Sequence, residues 1–125
     1  MPLEFTTSYL EDSLALFHHY KKMAERAIAQ VRDDELTVAI DEEANSIATV
    51  IKHMAGNMRS RFTDFLTTDG EKPDRYRDQE FELGPATTRT DLTKWWEEGW
   101  ARVFEAIESL KPDDVMRTVA IRRST

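Results

Sequence analysis

The chain has no cysteine. Disulfides, thiol nucleophiles and thiolate metal sites are therefore excluded, and the lack fits a cytoplasmic protein. Glycine and proline are sparse, at four each. The glycines form neither a phosphate loop nor a dinucleotide fingerprint, and no G-x-S-x-G nucleophile turn occurs. No apolar run approaches the roughly 20 residues of a membrane span. The start, Met1-Pro2-Leu3-Glu4-Phe5, lacks the basic and apolar regions of a signal peptide. Positive charge is also short: 17 Lys and Arg stand against 24 Asp and Glu, a net −7. Nucleic-acid and membrane-surface binders favour basic faces, so neither partner is expected. The three histidines fit neither H-E-x-x-H nor Glu-x-x-His. The zinc-protease and di-iron bundle motifs are thus absent.

What is present is helical periodicity. A chain of 125 residues is one domain, 1–125. It can bury about two thirds of its unfolded surface, enough for one core. The central stretch is Asn45–Leu66, capped by Asn45 or Ser46. Ile47, Val50, Ile51, Met54, Met58, Phe62 and Phe65 fall there at the spacing of one helical stripe. A first helix is expected from about Thr7 to Val31, with Leu10, Leu14, Phe17, Ala24, Ile28 and Val31 facing inward. Thr7 or Ser8 caps it, with Glu11 completing a capping box after Ser8. A third runs from Thr88-x-x-Asp91 to Leu110, with Leu92, Trp96, Trp100, Val103, Phe104 and Ile107 in its stripe.

Between the helices the pattern weakens. Arg32–Ala44 reads as a short turn at Asp33–Leu36 and an irregular link. Asp69-Gly70-Glu71-Lys72-Pro73 stops the central helix, and Asp69–Pro85 is a long charged loop, either functional or mobile or a solvated connection crossing the bundle end. Thr118–Arg122 alternates and is β-branched, so a short strand is expected, followed by a basic end to Thr125. Gly56 and Gly99 sit inside helices, where glycine costs about 1 kcal/mol relative to alanine. Such glycines mark places where a backbone or a ligand comes close. Lys21 lies inside an apolar stripe. Its stem either snorkels to solvent or carries the charge to a carboxylate on a neighbouring helix.

One flank of the central helix carries three polar side chains. His53 lies roughly 120° from the centre of the central stripe, with Asn57 and Asp64 on the same flank. His18 lies at the edge of the first stripe and His19 points outward. Adjacent helical residues diverge by about 100°, so these two cannot chelate one ion together. His53 is the first metal candidate, His18 a second and Asp64 a third. A catalytic zinc normally takes three protein ligands, which one histidine does not supply alone.

The runs Asn45-Ser46-Ile47, Lys52-His53-Met54-Ala55-Gly56-Asn57-Met58, Arg61-Phe62-Thr63-Asp64-Phe65-Leu66 and Asp69-Gly70-Glu71-Lys72-Pro73 resemble a branch of the bacterial DinB-like (damage-inducible) superfamily. The branch is a domain of unknown function. The likeness continues through Arg77-Asp78-Gln79-Glu80-Phe81-Glu82, Trp96-Glu97-Glu98-Gly99-Trp100 and Arg117-Thr118-Val119-Ala120-Ile121-Arg122. It implies an all-α antiparallel four-helix bundle with a divalent metal, Zn or Ni, held by three histidines. His53 matches the one on the second helix. The other two belong to a fourth helix, which is expected to be missing here because the chain stops at Thr125. Relatives of that type include thiol-dependent transferases, which implies a small-molecule thiol as partner. Two functional expectations follow. One is a metal-binding bundle protein with an incomplete site and weak divalent binding. The other is a non-catalytic helical protein that forms a homodimer through an exposed groove lined by Phe62, Phe65, Trp100, Phe104 and Ile107.

Overall fold

A computed structural model describes residues 8–83 and 87–121. Among these, 63% are helical and none is in a strand, so the class is all-α. Helix α1 is Tyr9–Ala29, α2 is Ile47–Phe62 and α3 is Arg89–Glu108. Short 3-10 turns occupy Asp33–Glu35, Arg77–Phe81 and Pro112–Met116.

The caps follow from the sequence. Ser8 Oγ accepts from Glu11 N at 3.3 Å, whereas Thr7 lies outside the described residues. Ser46 Oγ accepts from Thr49 N at 3.1 Å. Thr88 and Asp91 exchange both bonds of a capping box, at 3.0 and 3.2 Å. Helix α2 ends at Phe62, earlier than its apolar stripe suggests. Thr63 Oγ1 donates to the Arg59 carbonyl at 2.6 Å, and Asp64 turns left-handed with φ 47°. A side chain thus competes with the backbone for that carbonyl, and the turn that follows carries Phe65 off the helix.

The hub of the core is α3, on which both other helices pack. Leu92, Trp96, Trp100, Val103 and Ile107 are buried along it. Against α1, Phe17 meets Trp100, Lys21 meets Glu97, Glu25 meets Trp96, and Ile28 O accepts from Arg89. Numbers rise on one helix as they fall on the other, so this pair is antiparallel. Against α2 the numbers rise together: Lys52 lies over Trp95, Ala55 touches Gly99, and Phe62 shares a cleft with Arg102 and Ala106. That pair is parallel, which corrects the expectation of antiparallel neighbours throughout.

Parallel helices need a return path, and the expected end-crossing loop is that path. It runs back along the flank of α2. Buried Ser60 donates to Gly70 O at 2.6 Å and accepts from Lys72 N at 2.9 Å. Further along, Arg59 pairs with Asp74 at 3.0 Å, and Lys52 donates to Gln79 O and Glu82 O at 2.9 and 2.6 Å. This return segment, residues 69–83, is tied to α2 by bonds that sequence periodicity does not register.

Two further expectations change, while the expected turn at Asp33–Leu36 is present as the 3-10 turn Asp33–Glu35 capped by Leu36. Thr118–Ile121 is not a strand: among the described residues its backbone link to the rest of the chain is Gly70 N to Ala120 O at 2.7 Å, and a single bond makes no ladder. Arg122 lies outside the described residues. Leu36, in the acidic link, is 2% exposed, and its carbonyl accepts from Ala48 N at 2.8 Å. Of the expected groove residues, Trp100 and Ile107 are buried inside the chain, while Phe62, Phe65 and Phe104 are half-buried. Ile47, Val50 and Met54 of α2 form an exposed apolar row, and no residue of α1 reaches full burial.

Candidate functional site

Helix α2 meets α3 with one side, through Ile51, Ala55 and Met58. A second side meets the return segment. His53 stands on that second side, next to the uncovered Val50 and Met54. Its position is set by helical spacing, but its partner comes from the return segment.

That partner is Glu80. His53 Nδ1 lies 2.9 Å from Glu80 Oε1. Arg75 grips the same carboxylate twice, Nε to Oε2 and Nη2 to Oε1, both at 3.0 Å. The side chains are 0% (Arg75), 9% (Glu80) and 32% (His53) exposed. A buried carboxylate is tolerated only when paired and hydrogen-bonded, and the two-pronged arginine supplies both. The remaining Nη1 of Arg75 lies 3.6 Å from Glu71 Oε2. Phe81 packs on the imidazole with ring centres 4.9 Å apart.

Gly56 makes the arrangement possible. A Cβ built there would stand 1.9 Å from Glu80 Oε2 and 2.6 Å from its Cδ. What comes close to this mid-helix glycine is a carboxylate. Gly99 serves a different approach: its Cβ would lie 3.1 Å from Ala55 Cα and 3.0 Å from Met58 Cε. The two glycines therefore admit different neighbours, and Gly99 is the one at the helix crossing.

Behind Glu80 a cleft of about 270 Å³ opens between α2, α3 and the return segment. Gly56, Ala55 and Gly99 line it together with Trp95, Lys52 and Glu98. Glu80 separates this cleft from the His53 flank.

The other candidates lie elsewhere. His18 is exposed and stacks on Phe104 with centroids 3.9 Å apart and planes 8° apart. Asp64 is exposed beyond the end of α2. Among the described residues no three His, Cys, Asp or Glu side chains gather as a metal-holding group. Lys21 reaches carboxylates: Glu25 at 2.7 Å and Glu97 of α3 at 3.1 Å. Glu25 also accepts from Trp96 Nε1 at 3.2 Å. Burial opposes the charge of Lys21, yet the bonds and charges of Glu25 and Glu97 outweigh it and raise its pKa. Burial likewise works against ionised Glu25, and the bonds and charge from Lys21 and the bond from Trp96 prevail to lower its pKa.

Helical periodicity does not mark Glu80 or Arg75. An acid in a charged loop has no periodic signature, and the only pointer to it was the misplaced glycine on α2.

The arrangement defines an all-α domain with an imidazole oriented by a buried carboxylate on one face of a parallel helix pair. The chain belongs to the DUF1572 family, described as a protein of unknown function, which matches residues 4–125. No curated protein and no solved structure matches it.

Proposed function

We propose that the protein is a DinB-like, metal-binding helical protein in which His53 Nε2 is one ligand of a divalent cation, Zn or Ni. The observation that carries this reading is the hydrogen bond between His53 Nδ1 and the Glu80 carboxylate. Metal-binding histidines characteristically give their second ring nitrogen to a carboxylate, which fixes the ring and makes it a better donor. Neutral imidazole suits both metals. One histidine is a partial site, and zinc centres normally take three protein ligands or more. Further ligands come from whatever packs on the open Ile47–Val50–Met54 side, so binding by this chain alone is weak. A divalent cation, once bound, acidifies a coordinated thiol, which suits the thiol-dependent transfer of DinB-like relatives. The chain's own part is to hold and orient the ligand.

The test is calorimetric titration of the purified protein with Zn²⁺, beside His53→Ala. Weak saturable binding that the substitution abolishes is expected. Equal binding by both proteins, or by neither, refutes the reading.

The second reading is a non-catalytic protein that self-associates. It is favoured by the absence of any fully buried residue on α1 and by exposed Ile47, Val50 and Met54 on α2. Burying apolar surface gains about 25 cal/mol per Å², so a second copy laid over that side is stabilising. Light scattering at micromolar concentration that gives a mass near 14.5 kDa refutes it.

A further inference from the structure

We infer that Glu80 is the positioning residue of His53: held by Arg75 and seated over Gly56, it keeps the ring proton on Nδ1 and turns Nε2 outward as the ring's acceptor. The inference rests on the metal reading only for the identity of what Nε2 meets.

A carboxylate has no proton to give, so in this contact the imidazole donates. Both oxygens of Glu80 already accept from Arg75. The acceptor is therefore a negative charge locked in place, not a mobile surface side chain. Which nitrogen of a histidine carries the proton is set by the bond the other makes. Three features stop Glu80 from following the ring if the ring turns. The arginine is fully buried, with no exposed side-chain surface. The Gly56 backbone forms the floor beneath Oε2. Lys52 ties down the carbonyls of Gln79 and Glu82 on either side of Glu80. Phe81, the next residue, stacks on the imidazole itself and resists its rotation. The return segment is thus a preformed clamp on one histidine, built before any ligand arrives.

The experiment uses the full chain with ¹⁵N label. Long-range ¹H–¹⁵N spectra report the His53 tautomer in metal-free wild type, Glu80→Gln and Gly56→Ala at neutral pH. Zn²⁺ titrations of the same three proteins follow. Wild type is expected to show the Nδ1–H form. Both variants are expected to move toward Nε2–H and to lose about 10–100-fold in zinc affinity. An Nε2–H wild type overturns the inference, and that spectrum decides even if a variant fails to fold. Folded variants that keep the wild-type pattern overturn it too. A tautomer change without zinc binding by any of the three supports the positioning role and refutes the metal reading. Equal zinc affinity in all three, with no zinc binding by His53→Ala, overturns the positioning role and leaves the metal reading standing.

Discussion

Gly56→Ala is the sharpest test of how α2 and the return segment fit together. In an isolated helix the change is favourable by about 1 kcal/mol, because alanine loses less backbone freedom than glycine. Here the new Cβ would stand 1.9 Å from Glu80 Oε2, far inside contact distance. A flexible side chain could swing away cheaply, but this one is held by Arg75 through two bonds and by His53 through a third. Displacing it takes the two-pronged carboxylate from a buried guanidinium and leaves only Glu71, 3.6 Å from Nη1. Breaking such a pair costs about 3–5 kcal/mol. The net destabilisation is therefore about 2–4 kcal/mol, a large part of the stability of a small domain. The control removes the pair whole, as Arg75→Leu with Glu80→Ala. In that background nothing of Glu80 remains in the path of the Cβ, and Gly56→Ala becomes stabilising by about 1 kcal/mol. Urea unfolding with an unchanged slope measures both effects. Gly99→Ala serves as a comparison, since its Cβ meets Ala55 and Met58 and should behave alike in both backgrounds. A Gly56→Ala effect of the same sign and size with and without the pair would refute the argument.

Two further outcomes are expected. The Lys21–Glu25–Glu97 cluster makes stability pH-dependent at both ends. Glu25 has a folded pKa below its ordinary 4.5, so its contribution is present above that value and is lost as acid carries the pH through the lowered one. Lys21 has a folded pKa above 10.5, so its contribution is full below that value and fades as alkali passes the raised one. Thermal melts of wild type minus Glu25→Gln should give a difference that is flat near neutrality and shrinks in acid, and a difference that grows in acid contradicts the pairing. Leu36→Ala should cost about 2–5 kcal/mol in urea unfolding, because the side chain is 2% exposed against the core. A loss under 1 kcal/mol, the size of a surface effect, would show that the acidic link does not enter the core.

Periodicity located the three helices, because each buries a stripe and a stripe leaves a 3.6-residue trace. Their caps were equally readable, since Ser46 and Thr88 act through bonds only three residues long. Direction was not readable, because a helix shows the same stripe whichever way it runs. Nor was the hub: Trp96 and Trp100 announce burial but do not say that two helices share them. The depth of Leu36 was not readable because Leu36, Val38 and Ile40 alternate without a helical period, and only Leu36 is buried.

The site was half visible for the same reason. His53 and Gly56 sit on a helix, so their flank could be computed. Arg75 and Glu80 sit on a segment whose course depends on the parallel pairing of α2 and α3. Parallel helices force the chain to travel back along the bundle, and here the route lies beside α2. That route brings an acid opposite His53, and burial against α2 then demands a cation beside the acid, which Arg75 supplies five residues earlier. Gly56 is the one position on α2 where the carboxylate can sit without meeting a Cβ. The topology, the buried ion pair and the glycine are thus linked. Altering the return path would remove the partner of His53 even if every residue of α2 stayed in place.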